Sequence, residues 1–182
     1  MLQTERLILR PWIDDDLVPF TKISEDPEVM EFYPNPLTHE EGLSMGVRIQ
    51  TLISDRGWGF WAVELASQKK FIGFVGLHIP KDNLPCSPCV EIGWRLAKEH
   101  WGQGYATEAA KESLRYAFTE LNLTEVVSFT TLTNLPSQAV MQKIGMSNTG
   151  NNFMHPEIDP AHPQCEHLLY KISRHEWDRQ YG

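Results

Sequence analysis

Apolar residues recur along the chain with two different periods, which divide it into strands and helices. Alternation at every second residue predicts a strand, and spacings of three and four predict a helix that faces a core. In the clearest strand, residues 90–96, apolar side chains take the even positions and Glu91, Gly93 and Arg95 the odd ones. The sequence predicts strands at residues 7–10, 60–65, 71–79, 90–96, 126–132 and 167–173, and helices at residues 14–23, 38–55, 106–121 and 136–144.

Polar residues and glycines mark where these elements begin and end. Asp14 is expected to cap the first helix, and Asp26-Pro27 to start another. Thr38 followed by Glu41 has the form of a capping box, and Gly57 ends that helix. Residues 147–164 form a long irregular segment, and residues 174–177 a terminal turn. Loops of such length inside a compact domain are usually functional or mobile.

Strands dominate the middle of the chain and helices flank them. This order indicates an α/β (α+β) fold built on one mostly antiparallel sheet. A chain of 182 residues is long enough to bury a sizeable core, so we expect residues 1–182 to form a single domain. We find no internal repeat, linker or low-complexity tract.

Composition narrows the class of protein. The chain is 41% hydrophobic and 22% charged, as soluble globular proteins are, and no apolar run is long enough for a membrane span. The start of the chain has no secretory signal, so a cytoplasmic location is expected. The net charge of −8 comes without a cluster of basic residues, which argues against nucleic acid and favours cationic or amine partners.

Three cysteines allow a metal site to be considered. An odd number of cysteines in a cytoplasmic chain argues against a disulfide framework. Cys86 and Cys89 have the spacing of metal ligands, and Cys165 lies near three histidines, so a zinc site can be drawn. A second closely spaced ligand pair is missing, and the alternative is that Cys86 and Cys89 simply lie in a loop before a strand.

A glycine-rich turn, Trp101-Gly102-Gln103-Gly104-Tyr105-Ala106, joins a predicted strand to a predicted helix. Glycines let the main chain approach a ligand, and N–H groups at a helix N-terminus favour anions. The turn therefore predicts a cradle for a phosphorylated ligand, with a plain tight connection as the alternative. A dinucleotide fingerprint would need a small residue where Thr107 stands, and a P-loop would need Gly-Lys-Ser/Thr after the glycines.

The order of motifs resembles the GNAT superfamily of acetyl-CoA-dependent N-acetyltransferases over nearly the full length. Two further segments resemble its RimJ/RimL-like branch, namely residues 4–10 and 71–77. The resemblance implies a sheet of about six or seven strands, splayed between the fourth and fifth. The chain departs from the family pattern at Trp101, at Pro136 and Gln138, and most of all at residues 147–164. The matching segments are Glu91–Leu96 for the fourth strand, Trp101–Ala109 for the pyrophosphate loop, and Asn134–Ser137 with Val140–Met146 for the distal half of the cofactor site.

The resemblance implies a set of residues that bind acetyl-CoA as co-substrate, without a metal. The strand end would pair by its backbone with the pantetheine arm, and the glycine turn would hold the pyrophosphate. The alternatives are a core role for the strand residues, a helix cap for Asn134 and a solvated lysine for Lys143. The set comprises Trp94, Arg95, Leu96, Gly102, Gln103, Gly104, Tyr105, Ala106, Thr107, Asn134, Ser137 and Lys143.

Two residues are the catalytic candidates. Glu91 matches a strand glutamate that acts as general base in several superfamily members, with His155 or water as substitutes. Ser137 is the candidate acid for the departing thiolate, with Tyr105 and Tyr170 as weaker ones. The alternatives are a buried glutamate satisfied by a neighbour and a helix-start hydroxyl. The acceptor pocket is expected to be walled by Phe32, Tyr33 and Trp58.

The resemblance therefore predicts N-acetyl transfer from acetyl-CoA to a primary amine, on a small molecule or a protein N-terminus, by direct attack. Lys98, Lys111 and Lys143 are expected to offset the charge of the cofactor. Two other classes stay open: a non-catalytic acyl-CoA-binding sensor on the same fold, and a zinc-dependent binding module. The sequence determines neither the acceptor amine nor the oligomeric state. A homodimer is one option for the latter.

Overall fold

The computed structural model describes all residues, 1–182. A long antiparallel meander in the first half is followed by strands that alternate with helices. The elements are β1 (Leu2–Gln3), β2 (Leu7–Arg10), α1 (Asp14–Glu25), α2 (His39–Arg56), β3 (Phe60–Leu65), β4 (Lys70–His78), β5 (Glu91–Leu96), a short 3-10 helix (Lys98–His100), α3 (Tyr105–Thr119), β6 (Glu125–Thr131), α4 (Leu135–Lys143), β7 (Ser147–Asn148), β8 (Phe153–Met154), β9 (Glu166–Ser173) and α5 (Arg174–Tyr181).

Nine strands form one sheet in the order β1-β2-β3-β4-β5-β6-β9-β7, with β8 also paired to β9. Every pairing is antiparallel except that of β5 with β6, which is parallel and is registered only at Glu91 and Val127. The mostly antiparallel sheet is confirmed. The splay between the fourth and fifth strands is confirmed as well, because β5 and β6 are the fourth and fifth of the six long strands. The expected six or seven strands are exceeded by the two-residue strands β1, β7 and β8.

Helices cover both faces of this sheet. The ring of Phe20 in α1 lies 5.9 Å from that of Phe74 in β4, whereas Tyr116 in α3 lies 5.3 Å from Trp61 in β3. Trp61 is paired with Val75, the neighbour of Phe74, so the two contacts lie on opposite faces of the sheet. The main core extends along the chain from Leu2 to Trp177.

Helix ends show where the local predictions hold. The capping box of Thr38 and Glu41 starts α2, and Gly57, at a φ of 79°, ends it, as predicted. Asp14 does not cap α1, because the cap position belongs to Ile13, whose N–H donates to the carboxylate of Asp16 at 2.9 Å.

Three further predictions are corrected. No helix follows Asp26-Pro27, where the chain forms turns and the Asp26 carboxylate accepts from the N–H of Glu28 at 2.9 Å. The terminal turn is the full helix α5, which begins with a capping box of Ser173 and Glu176. Residues 147–164 contain β7 and β8. None of the helices combines the length and apolar composition needed to cross a bilayer.

Candidate active site

The glycine turn leaves a row of main-chain donors without partners at the start of α3. Gly102 and Gly104 have φ values of 71° and 82°, in the left-handed region that favours glycine. The N–H groups of residues 102–107 donate no hydrogen bond within the protein. Six free donors at the positive end of a 15-residue helix form a site for an anion.

Arg6, from the N-terminal segment, holds the turn in this shape. Its Nη1 donates to the carbonyl oxygen of Gln103 at 2.9 Å, and its guanidinium pairs with the carboxylate of Glu108 at 2.7 Å. The same guanidinium lies 4.6 Å from the ring centre of Tyr105. On the other side, the indole Nε1 of Trp101 donates to the carbonyl of Leu96 at 2.9 Å. These contacts tie down carbonyls and side chains, so the N–H groups stay free.

The turn borders a cavity of about 410 Å³, which we name the turn cavity. Gln103 does not line it, because its side chain turns back to donate to the carbonyl of Glu99. Of the three expected lysines, only Lys143 reaches it, since Lys98 pairs with Glu28 and Lys111 lies against the ring of Tyr181. It brings together the other predicted cofactor residues, namely Trp94, Arg95, Leu96, Gly102, Gly104, Tyr105, Ala106, Thr107, Asn134, Ser137 and Lys143.

The splay between β5 and β6 exposes the main chain of β5. The carbonyl of Ile92 points towards β6, where it accepts from the hydroxyl of Ser128 at 2.9 Å. Because strand N–H and C=O groups alternate in direction, those of Trp94, two residues on, face the gap. No strand pairs with them there. The gap can therefore accept an extended polar chain in the manner of an added strand.

Asn134 and Ser137 stand at the far side of this gap. The amide oxygen of Asn134 accepts from the N–H of Ser137 at 3.1 Å, and its Nδ2 donates to the hydroxyl of Thr130 at 2.8 Å. The helix-cap interpretation of Asn134 is thus confirmed, while a contact with a cofactor stays a prediction. The hydroxyl of Ser137 accepts from the indole of Trp94 at 3.3 Å and keeps its proton free to donate.

A second cavity of about 570 Å³, which we name the central cavity, lies between α2 and the strands β4 and β5. The predicted wall residues Phe32 and Tyr33 line it, but Trp58 does not, and instead lies near the guanidinium of Arg56. The residues that border both cavities, and so mark where they meet, are Phe32, Tyr33, Trp94, Arg95, Asn134 and Ser137.

Glu91 lines the central cavity as a carboxylic acid without a partner. It is half-buried, and its carboxyl oxygens make no hydrogen bond or ion pair within the protein. Burial raises the pKa of Glu91 to about 8, because desolvation disfavours the charged form. A carboxyl group with such a pKa can exchange a proton with a ligand near neutral pH, which makes it a candidate general base. The alternative that a neighbour satisfies Glu91 is wrong.

Three histidines share this cavity, and only one of them was predicted. Burial lowers the pKa of His155, which lies in the long irregular segment as expected of the substitute base. His78 is the cross-strand partner of Glu91, and burial together with Arg48 and Arg56 lowers its pKa to about 4. The pKa of His167 is lowered chiefly by burial. All three rings are therefore uncharged near neutral pH.

Several residues that the fold brings to the central cavity were not predicted from the sequence. Arg48 comes from α2, His78 from β4 and His167 from β9, so each depends on helix packing or strand register. Lys81 comes from the loop before β5 and pairs with Glu157 of the long segment, which joins two loops at the cavity rim. Strand alternation, which places His78 opposite Glu91 once the register is known, was the one signal available.

The remaining candidates lie apart from the junction of the cavities. The hydroxyl of Tyr170 is 3.5 Å from the Oε1 of Gln138 and lines neither cavity, whereas Tyr105 lines the turn cavity. The sulfurs of Cys86 and Cys89 lie 3.2 Å apart, and Cys165 is buried against the carbonyls of its own loop. No three His, Cys, Asp or Glu side chains are grouped to hold a metal ion.

Comparison with known proteins agrees with this architecture. The FsC-acetyl coenzyme A-N(2)-transacetylase of Aspergillus fumigatus is 32% identical over 98% of this chain and 78% of its own. A GNAT-family acetyltransferase from Bacillus anthracis has a TM-score of 0.78 at 25% identity, over 95% of this chain and 98% of its own. Spermidine N-acetyltransferase from Vibrio cholerae, solved with CoA and spermine, shares the fold with a TM-score of 0.74 at 21% identity, over 96% of this chain and 99% of its own.

The family model agrees with these relatives. The family model is described as acetyltransferase (GNAT) domain, and it matches residues 6–147, from just before β2 to the start of β7. The match includes β5, the glycine turn, α3 and α4, which together build the turn cavity. The chain therefore belongs to the GNAT acetyltransferase family.

Proposed function

We propose that this protein transfers the acetyl group of acetyl-CoA to a primary amine, which attacks directly with Glu91 as general base. The observation that carries the proposal is the meeting of two cavities at Trp94 and Ser137. One cavity is lined by free main-chain donors, and the other by an unpartnered carboxyl group with a pKa of about 8.

The turn cavity fits the phosphorylated half of CoA. Its six free N–H groups and the positive end of α3 match a pyrophosphate, and a Cβ at Gly102 would meet no protein atom, so the space beside the turn is open. Lys143 adds a cation at the rim. The free main-chain groups of Trp94 suit the amides of the pantetheine arm, which would run along β5 towards the central cavity.

Acetyl-CoA supplies the acetyl group as a thioester, which an uncharged amine can attack. An amine is protonated at neutral pH, so Glu91 in its ionised form, directly or through water, accepts one proton from the ammonium. The nitrogen then forms its bond to the acetyl carbon as the carbon–sulfur bond breaks, and it loses a second proton to solvent to give the neutral amide. Glu91 returns the first proton to solvent. Ser137 donates a proton towards the sulfur and regains one from solvent.

The relatives support acetyl transfer to nitrogen. The Aspergillus protein is named for acetyl coenzyme A and an N(2) position, and the Vibrio protein was solved with CoA and a polyamine. We further propose membership of the RimJ/RimL-like branch, on the strength of residues 4–10 and 71–77. A single domain over residues 1–182 and a cytoplasmic location remain predictions.

Calorimetry and a thiol-release screen test this function together. We expect isothermal titration to detect acetyl-CoA binding, and a panel of amines to release free CoA thiol with at least one member. A protein that binds acetyl-CoA but releases no thiol with any amine would be the non-catalytic sensor. Absence of binding at millimolar acetyl-CoA would refute the proposal.

Substitution of Glu91 tests the base. We expect Glu91→Gln to bind acetyl-CoA as the wild type does and to lose about 10²- to 10⁴-fold in kcat/KM near pH 8, the range for general-base catalysis. The inflection of kcat/KM near pH 8 should vanish with it, so that the remaining rise with pH follows the deprotonation of the free amine. Glu157→Gln is the matched control, because Glu157 is a carboxylate of the same cavity already paired with Lys81, and its loss should be far smaller. An equal loss in both variants would remove Glu91 from this role.

A further inference from the structure

Arg95 is a buried cation without a counter-ion. Its side chain is enclosed, with the residue 6% exposed, and Nη1 donates to the hydroxyl of Ser24 at 3.0 Å. The guanidinium lies 4.7 Å from the ring centre of Tyr33, yet no carboxylate pairs with it. Nε is fully enclosed without a partner, and Nη2 makes no hydrogen bond within the protein either. A buried charge left in this state is costly unless something else binds it.

The position of Arg95 places this charge beside the reacting centre. Its main chain pairs with Phe74 of β4, and its side chain lies on the face of the sheet that α1 and α2 cover. Glu91 occupies the same face of β5, four residues earlier. Arg95 also borders both cavities at their junction with Trp94 and Ser137. A ligand in the central cavity therefore shares that cavity with both Glu91 and Arg95.

The charges that face the central cavity favour an anion over a polycation. Arg48 and Arg95 have no carboxylate partner, whereas Lys81 and Glu157 neutralise each other. The pKa of about 8 leaves Glu91 mostly protonated at neutral pH. The lowered pKa values keep the three histidines of the cavity uncharged. The cavity is therefore positive in a protein whose net charge is −8.

We propose that the acceptor is an amine that also carries a carboxylate, as an amino acid does, and that this carboxylate pairs with the guanidinium of Arg95. The inference rests on the proposed acetyl transfer and names its substrate class. Apolar side chains from α2 and the sheet, among them Ile49, Leu52 and Phe60, leave room for the rest of such a substrate. A polyamine would find no free carboxylate here apart from Glu91.

A matched set of amines tests the inference on the full-length protein. The set contains the twenty L-amino acids, the methyl ester and the decarboxylated amine of the best of them, and spermidine. We expect the amino acid to exceed its ester and its decarboxylated amine at least about tenfold in kcat/KM, because charged hydrogen bonds are the strong ones. Thiol release from spermidine or the plain amines without preference for a carboxylate would overturn this inference and leave acetyl transfer standing. Absence of thiol release with every amine would instead overturn the proposed acetyl transfer.

Variants assign the preference to Arg95. We expect Arg95→Met, which keeps an unbranched chain of similar length in the core, to reduce the ratio of amino acid to decarboxylated amine by about tenfold or more. Arg95→Lys should restore part of that ratio, because it keeps the charge but not the planar fork. Arg48→Met is the control, because it removes one positive charge from the same cavity while Arg95 stays in place. An unchanged ratio in Arg95→Met, or a loss of acetyl-CoA affinity in calorimetry, would overturn the assignment. The calorimetry also reports whether the variant is folded.

Discussion

At the scale of the residue, the pKa of each carboxyl group in this site depends on burial and on the hydrogen bonds that the group accepts. Burial alone would raise the pKa of both Glu91 and Glu108. Hydrogen bonds from Thr4 and Arg6 outweigh burial at Glu108, and its pKa is lowered. Glu91 receives no such bond, and its pKa rises to about 8. Glutamate therefore has two different roles here. Glu108 holds the glycine turn in place, whereas the carboxyl group of Glu91, 17 positions earlier, can accept a proton near neutral pH.

Glu91 also makes stability depend on pH, with a sign that can be worked out. Between the unfolded and the folded pKa, the folded state holds a proton that the unfolded state has lost, so stability falls as pH rises. The lowered pKa of His78 acts in the opposite direction, but only below its ordinary value of 6.5. Between pH 6.5 and about 8, denaturant titration should show the unfolding free energy of the wild type falling.

Glu91→Gln isolates that effect. The amide cannot ionise, so the fall in unfolding free energy between pH 6.5 and 8 should be smaller in the variant than in the wild type. Glu108→Gln should not remove it, since Glu108 is ionised throughout this range. Parallel curves for the wild type and Glu91→Gln would mean that the Glu91 carboxyl is not desolvated in the folded state.

Residue alternation was enough to predict part of the site. Glu91, Gly93 and Arg95 share one strand face in the sequence pattern, and the structure has Glu91 and Arg95 at one cavity. The unpaired state of Arg95 could not be predicted, because it depends on α1 and α2, which are far away along the chain. Arg48 and His78 were missed for the same reason.

At the scale of the element, the glycine turn works because contacts with two segments, the loop before β2 and the end of β5, hold it in shape. Arg6 from the loop before β2 ties the carbonyl of Gln103 and the carboxylate of Glu108, and Trp101 ties the end of β5. The N-terminus of α3 is thereby left with its donors free. This arrangement predicts that glycine is needed for function at Gly102, and not for stability alone.

Two glycines form a matched pair for that prediction. Gly102 and Gly57 both have positive φ, 71° and 79°, and a Cβ on either would meet no protein atom within 4 Å. Alanine at either position should cost roughly 1–2 kcal/mol of stability, the penalty of the left-handed conformation. Only Gly102→Ala should weaken binding of CoA in calorimetry, because only this glycine borders the turn cavity. Equal affinities in the two variants would contradict the role of the turn.

Element prediction succeeded where the signal was local. The capping box at Thr38 and the glycine at Gly57 act within one turn, and both ends of α2 were predicted. Asp26-Pro27 has local helix signals too, but Val29 and Met30 are buried with Ile23 against Ala97, and the segment forms turns instead. The strands β7 and β8 contain two residues each, too few for any period to be visible.

At the scale of the whole molecule, the parallel pairing of β5 with β6 creates the site. An antiparallel sheet that ran on without this splay would have no gap for an extended ligand and no junction between two cavities. The fold class and the turn cavity could be predicted from ordered motifs. The central cavity could not, because it is assembled from α2, α4, five strands and three loops that only the folded chain brings together.

Binding at this junction should be visible as a gain in global stability. With CoA at about 100 times its Kd, linkage adds about 2.7 kcal/mol, which corresponds to roughly 5–10 °C in Tm for a chain of this size. Thermal unfolding followed by circular dichroism measures the shift. Pantetheine, which lacks the pyrophosphate, is the control and should give a much smaller shift. Equal shifts from both compounds would mean that the glycine turn does not bind the pyrophosphate.

We propose that the free N–H groups of residues 102–107 hold the pyrophosphate of CoA. The most direct measurement is a titration of the ¹⁵N-labelled protein with CoA, followed by the amide resonances of these residues. We expect their shifts to be among the largest in the spectrum and to saturate with the calorimetric Kd. Resonances of residues 102–107 that stay in place at saturating CoA, while others move, would contradict it.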